Sequence, residues 1–290
     1  MNIKQWNDDI IKISRDNELF PEELKTIETS PEYFYCKGNT ALLKGPKVAI
    51  VGSRKCTEYG KMVAFRLAEK LSSNGITIVS GLATGIDEFA HKGALAGGNT
   101  IAVLAGGLNI CYPKKNKKLF ERISETGLLI SEREKNYQSQ RFDFPLRNRI
   151  ISGLCESVVI VEAADGSGSL ITAGLALSQG RNVYAVPGNI NSAQSLGTNK
   201  LIKEGAQPLT TLNDILIDMN IAPQKEERVM NALSKDEKVV YEHVIKRGEI
   251  SFEELAFLTG FTMAKVKGIT SVLEIKGVIT TAIGKIYIAK

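Results

Sequence analysis

The sequence predicts an α/β protein: a doubly wound, mostly parallel sheet followed by a smaller helix-rich unit. Three observations carry that expectation. Short β-branched runs recur from Lys47 onward with helical patterns between them. Those runs, VVIVEA and IAVLAG among them, are apolar throughout rather than alternating, which suits strands covered on both faces. After Asn220 the alternation stops at APQKEER, a polar stretch with a proline, and a different pattern begins.

Taken in order, the segment before Lys47 contains LFPEEL and the run Pro31–Tyr35. It reads as a helix and an extended stretch, a lead-in over 1–45 rather than a domain. Strands are expected at Lys47–Val51, Thr77–Ser80, Thr100–Ala105, Leu128–Ser131, Ser157–Glu162 and Asn182–Val186. Helices are expected at Tyr59–Ser73, Ile86–Ala96, Lys117–Glu125, Arg147–Leu154 and Ser169–Gln179. Strands joined through helices at this spacing form right-handed crossover units, which places the core at 46–220.

A linker follows at 221–233, then a second unit at 234–290. There Lys235–Arg247 is helical with Gly248 as its C-cap, and Ser251 with Glu254 forms a capping box for Phe252–Thr259. Thr262 opens a third helix to Lys276, and two short β runs turn around Ala282–Lys285. Three helices and a hairpin at this size make a winged-helix pattern.

Composition narrows the function classes. With 43% hydrophobic and 24% charged residues the chain is an ordinary globular one, and its net charge of +5 permits an anionic partner without requiring one. The four cysteines form no C-x-x-C pair, and only His91 and His243 are present, so no metal site and no disulfide framework is expected. The N-terminus is charged too early for a signal peptide, and no apolar run approaches the ~20 residues of a membrane span. A cytoplasmic protein is expected.

Ligands of open parallel sheets bind beyond the carboxyl ends of the strands. The strand ends here lead to Gly52-Ser53-Arg54, to Gly81 through Asp87, to Gly106-Gly107, to Gly166-Ser167-Gly168-Ser169-Leu170-Ile171-Thr172 and to Pro187-Gly188. Small residues let a backbone approach a ligand, and free N–H groups at a helix start attract anions. Gly168, Ser169 and Thr172 thus read as a phosphate cradle. A βα turn takes glycine for its own needs, so no single pair marks a site. Several such loops converging on one sheet edge, with Arg54 at the rim, do.

Dinucleotide binding wants G-x-G-x-x-G where this chain reads GSRKCTEYG, and an NTPase wants a lysine that GSGSLIT lacks. His91 reads as structural and Ser169 lacks a base, so neither an enzyme nor a cofactor is expected.

Basic residues stand where a nucleic acid would need them. Lys114 and Lys115 open a lysine run that fits a solvated helix start equally well. Arg147, Asn148 and Arg149 sit at an expected helix start, suited to adjacent phosphates, with one arginine the alternative candidate for a buried ion pair. Phe144 and Tyr112 offer rings for base stacking.

Together these blocks resemble a known family. VAIVGSR, SGLATGID, AVLAGGLNICYP, FPLRNRIISGL, VVIVEA with GSGSLITAGLALSQGR, VYAVPG and GTNKLIKEGAQPL follow the order seen in the DNA-processing DprA (Smf) family, from about Leu19 to Leu209. The last unit is similar to that family's C-terminal winged helix. The resemblance implies an extended Rossmann-like core that dimerises, binds and protects single-stranded DNA, and helps load the RecA recombinase during natural transformation, without enzymatic activity. It implies that Gly52, Ser53, Arg54, Arg147, Arg149, Ser167, Gly168, Ser169 and Thr172 line a DNA-phosphate pocket, with the dimer surface near Gln194–Asp214.

The chain departs from the family twice. Only Met1–Glu18 precede LFPEEL where members commonly carry a helical N-terminal domain. Ala164-Asp165-Gly166-Ser167 stands where a basic residue often precedes SGS, so Arg54 and the Arg147–Arg149 cluster are expected to carry more of the binding.

Two other functional readings compete. A lysine-decarboxylase-like phosphoribohydrolase would show P-G-G-x-G-T-x-x-E, whereas Gly106-Gly107 is followed by Leu108-Asn109. A transcriptional regulator would read duplex DNA through its third C-terminal helix, which is basic only at Lys265 and Lys267; protein docking fits that helix as well.

Overall fold

Residues 10–221, 229–230, 232–282 and 284–289 are described by the computed structural model. All six expected strands form: β3 (Lys47–Val51), β4 (Thr77–Ser80), β5 (Thr100–Leu104), β6 (Leu128–Ser131), β7 (Ser157–Ile160) and β8 (Asn182–Ala185). With β1 (Ile11–Ser14), β2 (Tyr33–Gly38) and β9 (Gln207–Pro208) they make a nine-stranded sheet in the order β1-β2-β6-β5-β4-β3-β7-β8-β9. Every pair from β6 to β9 is parallel, and β1 and β2 add to one edge antiparallel.

Residues of β3 are buried at every position because their side chains alternate between two covered faces. Val48 and Ile50 pack toward α2 (Glu58–Ser73) and α3 (Ile86–Gly97), joined on that face by α4 (Lys117–Thr126). Ala49 and Val51 pack toward α5 (Asp143–Gly153) and α6 (Gly168–Ser178). The core is therefore two apolar layers sandwiching the sheet. The short α7 (Leu196–Lys203) and α8 (Asp214–Asp218) follow β8 and were not expected.

The 1–45 segment, expected as a lead-in, is instead part of this core from residue 10 onward; residues 1–9 lie outside the described ones. Ile13, Phe34 and Cys36 are buried, the rings of Phe20 and Phe34 lie 5.3 Å apart, and Leu24 of α1 (Glu22–Lys25) joins the same cluster as Ile150 and Ile151. The physical reason lies in YFYCKG, where buried positions alternate with half-buried ones. That pattern belongs to an edge region with one covered face, unlike the flat apolar runs of the central strands.

One helix boundary also differs. The α5 helix begins at Asp143 rather than Arg147, because Pro145 sits in the first turn, where an intrahelical N–H is not needed. The Asp143 carboxylate fastens that end: it accepts from the Gln140 N–H at 2.7 Å and the Tyr137 hydroxyl at 3.1 Å, and pairs with Arg133 at 2.5 Å.

The chain divides into two units, at Ile221 and Ala222. Most of the expected linker, 222–228 and 231, lies outside the described residues. The second unit runs α9 (Lys235–Arg247), β10 (Glu249–Ser251), α10 (Phe252–Thr259), α11 (Met263–Ile275), β11 (Ile279–Ala282) and β12 (Lys285–Ile288). Its sheet has the order β10-β12-β11 and is antiparallel. The β10 strand is an addition to the expected helices and hairpin.

Caps set its boundaries. Ser234 and Glu237 form a full capping box on α9, and Gly248 ends that helix at φ +74°. Ser251 caps α10 and Thr262 caps α11. Val240, Val244, Leu255, Val266, Leu273 and Ile286 form this unit's own core. Among the described residues no helix is long and apolar enough to cross a membrane.

Candidate nucleic-acid interface

Strand order reverses between β3 and β7. From β3 the chain crosses through α2 to β4 on one side, and from β7 it crosses through α6 to β8 on the other. The two loops leaving these neighbouring strands diverge and open a cleft, the position where ligands of doubly wound sheets bind. Its volume is about 680 Å³.

The first wall is the loop after β3. The buried Ser53 is tied on three sides: its N–H donates to the Glu162 carbonyl at 2.7 Å, its hydroxyl donates to Gln194 Oε1 at 2.8 Å and accepts from the Lys55 N–H at 3.1 Å. This locks the turn and leaves Arg54 exposed at the rim. The Arg54 guanidinium carbon lies 5.2 Å from the Phe144 ring centre, and Phe144 lies 5.5 Å from the ring of Tyr112. A guanidinium held by cation–π attraction beside a ring keeps N–H groups free for an anion.

The opposite wall is the start of α6. Ser167 is the N-cap; its hydroxyl accepts from the Ser169 N–H at 3.4 Å and lies 2.9 Å from the Ser169 hydroxyl. One turn on, Thr172 is only 2% exposed and lines the cleft, and its hydroxyl has no hydrogen-bond partner among the described residues. With no partner in the protein, that hydroxyl is available to whatever occupies the cleft. The helix N-terminus adds positive potential at the same place.

Arg147 forms the floor. It is buried, and its guanidinium donates to the carbonyl of Gly81 at 2.8 Å, to that of Val103, and to Asn148 Oδ1 at 3.2 Å. Burial pushes its pKa down to about 10, which leaves it positive at neutral pH. Beside it the buried Asp87 accepts from the N–H groups of Gly81 and Ala83 at 3.1 and 3.4 Å. Burial raises the Asp87 pKa, while the charge of Arg147 and those N–H groups pull it back.

The expected residues are not all gathered here. Gly52, Ser53, Arg54, Arg147, Asn148, Ser167, Gly168, Ser169 and Thr172 line the cleft. Arg149 does not. With α5 starting at Asp143, the two arginines lie within the helix rather than at its start, and residues two apart point to different sides. Arg149 pairs with both oxygens of Glu132 at 2.6 Å and is the ion-pair member of the two. Lys114 and Lys115 also stand outside the lining; both are exposed, and Lys115 reaches Glu88 at 3.3 Å.

The glycines need a correction as well. A Cβ at Gly52 would come within 2.6 Å of Ile86, one at Gly85 within 2.3 Å of the Ser53 carbonyl, and one at Gly107 within 2.1 Å of the Glu134 carbonyl. These glycines let the strand-end loops pack on one another. Gly166 and Gly168 face open space. At Gly166, third residue of the turn closed by the Ser167 N–H on the Ala164 carbonyl, φ is +70°, which by itself favours glycine.

Sequence reasoning missed Lys55, Arg141, Asp87 and Gln194 as lining residues. Arg141 and Lys55 are single exposed cations in loops, and Gln194 arrives from the segment after β8, held because the Ala163 N–H donates to its carbonyl at 2.8 Å. None of these has a local signal. The lining carries Arg54, Lys55, Arg141 and Arg147 against Asp87 and Asp165, so the cleft is net positive. His91 stays out of it: buried against Thr100 at 2.7 Å, its pKa is driven by burial to about 3, and it is neutral.

Comparison with known proteins agrees in its coverage with the first unit. Residues 12–220 match the family described as DNA recombination-mediator protein A. The chain is 45% identical over 203 residues to DNA processing protein DprA of Streptococcus pneumoniae, covering 70% of this chain and 72% of that one. It is 43% identical over 205 residues to DprA of Bacillus subtilis, covering 70% and 69%. Among solved structures, DprA of Streptococcus pneumoniae superposes with a TM-score of 0.69 at 42% identity, over 74% of this chain and 75% of that chain. DNA processing protein A of Helicobacter pylori, described for its single-stranded DNA binding mode, gives 0.67 at 33% identity, over 73% and 95%.

Proposed function

The chain belongs to the DNA recombination-mediator protein A family, and on that premise we propose that its cleft holds the backbone of single-stranded DNA. In this reading the protein is a non-enzymatic mediator that protects incoming DNA and helps load a RecA-type recombinase, acting as a homodimer.

One observation carries the reading. Two independent anion-binding devices face each other across the switch point: the Arg54 guanidinium beside Phe144 on one wall and the hydroxyl-bearing start of α6 on the other. Both bind phosphate oxygens without base information. Tyr112, 55% exposed, continues the Arg54–Phe144 row and offers a face to an unpaired base, which a duplex does not present. No base–nucleophile pair lines the cleft among the described residues.

The C-terminal unit has the element order of a winged helix, and four of its cations are already paired. Lys265 meets Asp236, Lys276 meets Glu237, Arg247 meets Glu254 and Lys285 meets Glu249. That favours the core as the strand-binding unit.

The test is an anisotropy titration of the whole protein with a labelled dT oligonucleotide and with a duplex of equal length, at 50 and 200 mM salt. The reading expects the single strand to bind tighter and its affinity to fall steeply with salt. Equal affinity for the two, or binding indifferent to salt, overturns it.

A further inference from the structure

Among the described residues, one acid of the cleft has no partner. Of the two acids among the lining residues, Asp87 is buried, accepts two backbone N–H groups and lies in the field of Arg147. Asp165 is exposed, and among the described residues its carboxylate has neither a hydrogen bond nor an ion pair. Its place is set by the backbone. The Ala164–Ser167 turn puts Asp165 at its second position and Gly166, at φ +70°, at its third. The next residue, Ser167, is the cap of α6. The free carboxylate therefore stands two residues before that cap, at the mouth of the anion-binding wall. A Cβ at Gly166 or at Gly168 would meet open space, so this turn faces outward from the packed loops.

A carboxylate at the mouth of a phosphate cradle repels what the cradle attracts. Four cations draw the strand in, and one unpaired acid opposes it at the wall whose own contribution is hydroxyls and N–H groups rather than a full charge. From this juxtaposition we infer that Asp165 limits how long the cleft holds a DNA strand, so that the strand is surrendered readily. The inference rests on the reading of the cleft as a single-strand site. An exposed charge opposes the approach of the strand, and because Asp165 lines the cleft its repulsion persists in the bound complex and also speeds departure, which the dissociation rate reads.

The experiment is stopped-flow dissociation of a labelled dT oligonucleotide from the full-length wild type, Asp165→Asn and a control, Glu28→Gln. Glu28 is an exposed acid close in sequence to Ile27, which packs on Gly153 at the far end of α5 from the cleft. The control makes the same change in net charge. Asp165→Asn is expected to slow dissociation roughly 3- to 10-fold at 50 mM salt, the size of one unscreened charge contact near a surface. The difference should shrink toward unity at 500 mM, because exposed charges are screened there. Glu28→Gln should match wild type throughout.

A rate for Asp165→Asn equal to wild type, or equal to an altered Glu28→Gln, overturns the inference while leaving the DNA reading intact. Wild type that fails to bind the oligonucleotide overturns both. Asp165 is a surface residue of a turn, so the thermal midpoint of the variant should equal that of wild type and confirms that folded protein is being compared.

Discussion

Replacing Arg147 with methionine separates what holds the cleft together from what the cleft holds. Methionine keeps most of the volume and removes the charge and the donors. Two buried carbonyls, Gly81 and Val103, lose their partner, and Asp87 is left as a buried carboxylate without its cationic neighbour. An unsatisfied buried polar group costs about 1–3 kcal/mol, and breaking a buried charge pair about 3–5 kcal/mol. Terms within one packed cluster do not add, so a loss of about 5 kcal/mol is expected rather than their sum. For a unit of this size, roughly 2–4 °C per kcal/mol puts the melting point down by about 10–20 °C. Urea denaturation followed by far-ultraviolet circular dichroism measures it. Adding Asp87→Asn to the Arg147→Met background removes the stranded charge and should return about 1–2 kcal/mol, whereas the same change in wild type destabilises. The reasoning fails if Arg147→Met lies within 1 kcal/mol of wild type, as for an ordinary surface residue, or if Asp87→Asn has the same effect in both backgrounds.

Other expectations follow from the same geometry. Arg54→Ala should weaken oligonucleotide binding about tenfold and lower the salt slope by about one, whereas Arg54→Lys keeps the slope but loses affinity, since a lysine lacks the planar fork that Arg54 holds beside Phe144. Arg149→Gln should leave oligonucleotide affinity within about twofold and cost about 1–3 kcal/mol of stability through Glu132, as denaturation and titration of one preparation would show. His91 supplies a pH dependence. Its pKa is about 3 in the fold and 6.5 in the unfolded chain, so the stability it contributes is complete above pH 6.5 and is lost as pH falls toward 3. Between pH 7 and pH 5 that amounts to about 2 kcal/mol, and His91→Gln should remove this share of the acid slope, as urea midpoints at the two pH values would show.

The central sheet was legible because strands covered on both faces are apolar throughout, and that flatness is a local property of the letters. The start of α6 was legible for a similar reason, since its cap, hydroxyls and glycines are contiguous in GSGSLIT. What escaped was set by partners far along the chain. β2 alternates in burial because, beside β6, it has one covered face. Arg147 and Arg149 part because both lie inside α5, where residues two apart point to different sides. Gln194 joins the cleft through a backbone bond to Ala163 and a side-chain bond to Ser53. At Gly52, Gly85 and Gly107 a Cβ would meet protein, so packing between the loops accounts for those glycines, a cause set by distant partners.

The antiparallel edge bears on how the chain is made. Tyr33–Gly38 pairs with Leu128–Ser131, and β3, β4 and β5 all lie between them in sequence. A chain leaving the ribosome N-terminus first therefore presents β1 and β2 long before their seat exists. At roughly 5–20 residues per second, the wait for β6 is on the order of 5–20 s. During synthesis β1 and β2 precede by that interval the strand that β2 pairs with, and Ile13, Phe34 and Cys36 cannot complete their burial until it is made.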